Sequence, residues 1–266
     1  MRARSYACPG RRRTLTIPKV HSSVLDLEFS DPRLAALYDR LYPLAQPERD
    51  FYLPMILAGP AVLDVGCGTG ALLKEARRAG HLGRLCGLDP AAAMLAEGRR
   101  QRDIDWMLGR AASMRFESEF DLVVMTGHAF QALLTDEELQ AAVAAVRRAL
   151  NGGGRFVFDT RNPAARAWEK WNARHAVDIE DAQGNAVRVT PEVVAGYDGR
   201  TVTFVQSYCC AQWSGPLSSR SELRFLEARE LGRLLHQAGF TVEAQFGDFD
   251  RSPLTQSSPE IVTIAR

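Results

Sequence analysis

The 266-residue sequence has no apolar run approaching the roughly 18 residues that a membrane span requires. Its five cysteines (Cys8, Cys67, Cys86, Cys209 and Cys210) are odd in number and lack zinc-type CxxC spacing. They read as free thiols, so no metal site is expected and a reducing, cytoplasmic compartment is. There is no internal repeat and no low-complexity segment. Residues 1–21 lack any acid while holding Arg2, Arg4, Arg11, Arg12, Arg13 and Lys19. Taking those six from 33 basic residues leaves 27 against 32 acidic ones, so the body is near −5. That balance argues against an extended nucleic-acid groove, whose affinity comes from basic residues meeting phosphates. The basic segment also has no apolar core of the kind a secretory signal needs. Residues 1–30 are therefore expected to be a disordered basic leader, with organelle targeting as the other reading.

What is present is an alternation of strands and helices. Asp31-Pro32 is a helix start, with Leu34, Leu37, Tyr38 and Leu41 on one face and Pro43 as a stop. Strands are expected at 61–65, 84–88, 104–108, 120–126 and 155–159. Helices begin after the glycines at 66–70, at Asp89-Pro90, and at the capping box Thr135 to Glu138. Such a β-α-β-α rhythm implies a parallel sheet with helices on both faces. It breaks near residue 161, where 186–195, 201–210 and 219–226 read as a small antiparallel meander. Helix character returns at Leu231, Leu234 and Leu235, and two strands follow at 240–246 and 260–265. The expected organisation is one α/β domain, 31–160 plus 227–266, with an inserted antiparallel lid over 161–226.

The informative string is Leu63-Asp64-Val65-Gly66-Cys67-Gly68-Thr69-Gly70. Glycines between a strand and a helix N-terminus let backbone N–H groups approach a ligand. The string also satisfies G-x-G-x-x-A through Gly66, Gly68 and Ala71, so a dinucleotide-binding domain has to be weighed. As a whole it resembles the first motif of class I methyltransferases that use S-adenosylmethionine (SAM). Phe120 to Met125 resembles their fourth-strand motif, and Leu150-Asn151-Gly152-Gly153-Gly154-Arg155 their glycine turn before strand five. The resemblance implies a seven-stranded sheet of order 3-2-1-4-5-7-6 with the last strand antiparallel. It also implies that Gly66, Cys67, Gly68 and Gly70 carry the cofactor, with Asp64 supporting its amino-acid end. Asp89, next to Pro90, would take the ribose hydroxyls, and Met94 would lie against adenine. Relatives carry Gly-Asp after strand three; this chain has Gly109-Arg110-Ala111, so Arg110 would flank the adenine instead.

On the acceptor side, the loop Thr126 to Gln131 faces both cofactor and acceptor in such proteins. His128 is the candidate base, since imidazole titrates near neutrality; the alternative is a histidine that shapes the loop. Phe130 is read either as a pocket wall or as packing. Tyr38, in the pair Tyr38-Asp39, would lid the cofactor or acceptor, or else pack in the core with Tyr42. Asp159, Arg161 and Asn162 end strand five where open α/β sheets bind ligands, or else cap a helix. Trp168, Trp171, Tyr208 and Trp213 either line a pocket or form the insertion's own core. His21, His175 and His236 read as structural. The expected acceptor is a small molecule methylated on N or O, with no membrane partner and no assembly state implied. An RNA or protein methyltransferase would carry Asn/Asp-Pro-Pro-Tyr after strand four, which is absent. A nicotinamide oxidoreductase would carry Tyr-x-x-x-Lys, also absent, and a silent SAM-binding protein is the remaining alternative.

Overall fold

In the computed structural model, residues 25–266 are described; Cys8, His21 and the basic leader to residue 24 lie outside them. Three short helical turns come first: α1 (Leu27–Ser30), α2 (Pro32–Ala35) and α3 (Tyr38–Leu41). The expected single helix from Asp31 is thus broken after Ala35, although Asp31 does accept from the Arg33 amide. Residues 27–30, assigned to the leader by sequence, form α1 with Glu28 buried. Next is α4 (Gln46–Ala58), which sequence reading missed because Pro54 sits inside it.

The alternating portion follows as β1 (Ala61–Val65), α5 (Ala71–Arg78), β2 (Arg84–Asp89), α6 (Ala92–Gly98), β3 (Asp105–Leu108), β4 (Phe120–Met125), α7 (Asp136–Ala149) and β5 (Leu150–Arg161). Both hydrogen bonds of the Thr135–Glu138 capping box form. Helix α6 begins at Ala92 rather than at Asp89-Pro90, because β2 extends through Asp89. Strand β5 starts at Leu150, not 155. Leu150 pairs with Phe120, and the glycines then bulge so that Arg155 meets Leu122. Glycine supplies that bulge, Gly153 having φ +83°.

The insertion holds β6 (Val177–Glu180), β7 (Ala186–Ala195), β8 (Thr201–Cys210) and β9 (Leu217–Arg224) in one antiparallel sheet of that order. Edge strand β6 escaped sequence reading because it is four residues long and half charged. The chain closes with α8 (Ala228–Gln237), β10 (Val242–Phe246) and β11 (Glu260–Ala265).

The main sheet has order β10-β11-β5-β4-β1-β2-β3, with β11 antiparallel to both neighbours, as the sequence implied. Alternate residues of its central strands feed two cores. Val62, Val124 and Val157 pack with Phe51, Tyr52 and Ile56 of α4 and Leu72 and Leu73 of α5. Leu63, Val123, Phe156 and Phe158 pack on α7 and α8. Both faces being covered explains the near-uniform apolarity of these strands. Phe156, fully buried, stacks on Phe158 with centroids 4.7 Å apart and lies 5.9 Å from Phe240. Phe156→Ala should lower stability by about 3–5 kcal/mol in urea unfolding, since the cavity cannot collapse between two rigid rings.

Candidate active site at the carboxyl edge of the sheet

The glycine turn is built by backbone conformation first. Gly66, Gly68 and Gly70 all have positive φ, at +74°, +56° and +76°. The amides of Gly66 and Cys67 donate to the Leu88 carbonyl of β2 at 2.7 and 3.2 Å. Gly70 is also required sterically, because a Cβ there would meet the Trp106 ring at 2.1 Å. Trp106 of β3 packs into the space left by Gly70, Gly87 and Gly98 together. At the end of β2, Asp89 is buried and its carboxylate accepts from the amides of Gly68 and Ala91, each at 2.8 Å. It therefore holds the glycine turn and the following loop in one place.

Above this turn lies α3. The Thr69 hydroxyl donates to the Asp39 carboxylate, which pins the Tyr38-Asp39 pair over the glycines. Tyr38 and Met94 reach toward Gly68, and Met94 is buried beside Ala35 and Ala91. Tyr38 and Tyr42 are neighbours, with ring centroids 5.1 Å apart. Pro90 is partly buried; Thr126, at the end of β4, is likewise partly buried. Arg110 is exposed and Ala111 buried at the end of β3, where the Gly109 amide donates to the Asp89 carbonyl. The residues suggested by sequence for the cofactor thus share one edge of the sheet.

Two features suit a cofactor with an amino-acid end held over a glycine turn. Asp64 is buried with one carboxylate oxygen, Oδ1, lacking any hydrogen-bond partner, and so wants a donor. Burial, then the charges of Asp89, Glu48 and Asp159, push its carboxyl up to about 8. Added Cβ atoms at Gly66 and Gly68 would meet Ala129 at 2.8 Å and Met94 at 3.1 Å, so this cradle admits backbone only.

Around the loop after β4 the organiser is Asp159, which is fully buried in β5. Its two oxygens accept from the Tyr52 hydroxyl at 2.7 Å and the His128 amide at 2.8 Å. Sequence reading allowed Asp159 a capping role, but only Asn162 caps, accepting from the Ala164 amide. His128 adopts a left-handed conformation (φ +62°), and its Nε2 lies 2.9 Å from Glu260 Oε2 of β11. Burial drives this pair toward neutrality from both sides. The imidazole is pushed down, by desolvation and then Arg161, and the Glu260 carboxyl is pushed up to about 8. A single proton held between Nε2 and Oε2 satisfies both. Phe130 is no pocket wall: it is buried and stacks on Phe158 at 4.5 Å.

The aromatic residues of the insertion divide in two. Trp168 packs with Val202 and Phe225 inside the insertion. Trp213 and Tyr208 pack toward α2, and the Tyr208 hydroxyl donates to Glu28 at 2.8 Å. Trp171 packs against the Trp168 cluster, 4.8 Å from the Phe204 ring, and also meets β5, with Arg161 5.4 Å from its ring centre. His175 and His236 lie away from this cluster; His175 bonds only locally to Asn172. Sequence reasoning missed Glu260 and Tyr52, and it named Asp39 and Gln131 only as members of a pair and a loop, without a role. Neither Glu260 nor Tyr52 carried a local signal, and Glu260 stands 132 residues from the histidine it meets.

The Asp64 carboxyl, neutral below about pH 8, should lose its proton when the α-amino group of a SAM analogue sits beside it. Calorimetry with S-adenosylhomocysteine at pH 7, in two buffers of different ionisation heat, should register proton release. The affinity should rise with pH up to about 8, where the ligand's own amine begins to lose its charge. Asp64→Asn should abolish the release; an unchanged proton count in that variant would mean Asp64 faces something else.

Comparison with known proteins agrees with this geometry. Residues 62–154 match the family described as "Methyltransferase domain". The chain is 27% identical over 212 residues to the cypemycin N-terminal methyltransferase of a Streptomyces species, covering 78% of this chain and 83% of that protein. In fold it resembles the CcbJ methyltransferase of Streptomyces caelestis (TM-score 0.69, 21% identity, 88% and 96% covered). It also resembles SAM-bound CalS10, an amino pentose methyltransferase from Micromonospora echinaspora (TM-score 0.64, 24% identity, 86% and 96% covered). The glycine turn and strand order thus agree with the methyltransferase-domain match over residues 62–154, and the fold is the Rossmann-like one of these SAM-dependent methyltransferases.

Proposed function

We propose that the protein transfers the SAM methyl group to an amine nitrogen of a small molecule, bound between the carboxyl edge of the main sheet and the inserted β6–β9 sheet. The observation that carries this reading is the His128–Glu260 pair beside the cofactor edge, a partly buried proton-accepting unit that joins the loop after β4 to the start of β11. An amine is protonated in water and must lose that proton before it can attack a methyl group. When bound, SAM supplies the electrophilic methyl; alignment of the acceptor with it is the protein's main task. Gly66, Cys67, Gly68, Gly70, Asp89, Pro90 and Met94 would hold the cofactor, with Asp64 at its amino group. Tyr38, Arg110, Ala111 and Thr126 would border it. The insertion acts as a lid that keeps water from the reacting atoms. The names of similar proteins accord with nitrogen: one is a cypemycin N-terminal methyltransferase, another the sugar N-methyltransferase KedS8. Among the described residues no helix is long and apolar enough to cross a membrane, and a cytoplasmic site of action accords with the free thiols Cys67, Cys86, Cys209 and Cys210.

The test is incubation with SAM and a panel of amino sugars, amino acids and short peptides, each beside its hydroxyl analogue, with products read by mass spectrometry. Methylation of the amines alone supports the reading, and methylation of hydroxyl analogues would replace it with O-transfer. For a turned-over amine, kcat/KM should climb with pH until about 8, as the His128–Glu260 pair gives up its proton. His128→Ala should lower kcat about 100-fold at pH 7, within the range for general-base catalysis, and less at high pH. A loss equal at every pH would assign His128 to loop shape instead.

A further inference from the structure

Arg161, the last residue of β5, is an organised cation to which no carboxylate of the described residues is directly bonded. Its Nη1 donates to Gln131 Oε1 at 3.1 Å, and its backbone amide approaches the same oxygen at 3.3 Å. Gln131 is itself immobilised: it is 1% exposed, and its Nε2 donates to the Arg224 carbonyl at 2.9 Å. That second bond fixes which end of the amide faces Arg161. The Trp171 ring covers a face of the guanidinium. A rotamer-rich side chain is thus held in one orientation before any ligand arrives.

Among the described residues, no carboxylate lies within 4.0 Å of this guanidinium. The nearby acids are committed elsewhere, Asp159 to Tyr52 and the His128 amide, and Glu260 to His128 Nε2. Of the five N–H groups on the side chain, one is satisfied by protein. None of its nitrogens is both sealed from solvent and unbonded, so the free ones reach solvent. Glu260 and Asp159, and after them Tyr42 and Tyr38, act on it electrostatically from beyond bonding distance. A partly buried guanidinium without an ion partner is costly, and its planar fork matches an oxyanion.

Position separates this cation from the cofactor. The glycine turn follows β1, and the sheet order β5-β4-β1 puts it two strands from Arg161, about 10 Å at the usual strand spacing. We propose that Arg161 is an oxyanion anchor for the acceptor, so that the preferred amine also carries a carboxylate or phosphate group. This rests on the reading of the cleft under the inserted sheet as the acceptor site.

The test does not need the acceptor's identity. Protein saturated with S-adenosylhomocysteine is titrated with acetate and, separately, with inorganic phosphate, following the melting temperature. Wild type should be stabilised by at least one of them; acetate as the stronger points to a carboxylate acceptor, phosphate to a phosphorylated one. Arg161→Met should weaken the anion's apparent affinity roughly 10- to 100-fold, the usual worth of hydrogen bonds to a charged group, while retaining the S-adenosylhomocysteine shift. Gln131→Glu, which keeps the guanidinium but gives it a carboxylate, should weaken the anion similarly and guards against a misfolded Arg161 variant. Arg161→Lys should retain part of the response. An S-adenosylhomocysteine shift with no anion response in wild type overturns the anchor but leaves the methyltransferase reading intact. Loss of S-adenosylhomocysteine affinity in Arg161→Met would assign the guanidinium to the cofactor, also overturning it. Failure of S-adenosylhomocysteine to stabilise wild type would overturn the parent reading and the anchor with it.

Discussion

Two buried carboxylates at strand ends hold this site together. Asp89 closes β2 and takes two backbone amides, of Gly68 and Ala91; Asp159 lies near the end of β5 and takes the Tyr52 hydroxyl and the His128 amide. A loop amide bonded to a buried carboxylate is held firmly, because losing the bond would leave a charge or a donor unsatisfied in a low-dielectric place. The glycine turn depends on the first carboxylate and the His128 loop on the second. Both loops are irregular backbone, and neither has a ladder of its own to keep it in place.

The N-terminal turns connect this edge to the inserted sheet. Asp39 bonds Thr69 below. Tyr42 bonds Gln206 of β8, and Glu28 accepts from both Gln206 and Tyr208. Arg40 donates to the carbonyls of Glu180 and Asp181, at the outer strand β6. Helical turns of four residues have little stability alone. Here they are fixed by tertiary hydrogen bonds and by Leu34 and Leu37 packing on Val187, Val189 and Tyr208. Their order is therefore coupled to that of the insertion, and through Thr69 to the glycine turn.

Much of this was readable in one dimension. Strand β1, the glycines, Asp89, the Thr135 cap and the antiparallel end all follow from rules that act over a few residues. Those rules are period-2 or continuous apolarity, positive φ at glycine, and hydroxyl capping. The errors were also local. Pro54 hid α4, the glycine bulge delayed the apparent start of β5, and the four-residue edge strand β6 gave too little alternation to register. Phe130, open to either reading in sequence, went to the core because a ring on that short turn stacks directly on Phe158.

By itself the sequence determined the class of fold and the cofactor turn, since both depend on residues adjacent in the chain. Which side chains gather at the ends of β4 and β5 was decided only by the tertiary structure. His128 meets Glu260 and Arg161 meets Trp171 and Gln131 because β4, β5 and β11 are neighbours in the sheet and the insertion folds back over them. Contacts of that kind join residues far apart along the chain, and no short-range pattern of polarity or capping encodes them. They arise from strand order and register, which are set by burying both faces of the sheet at once.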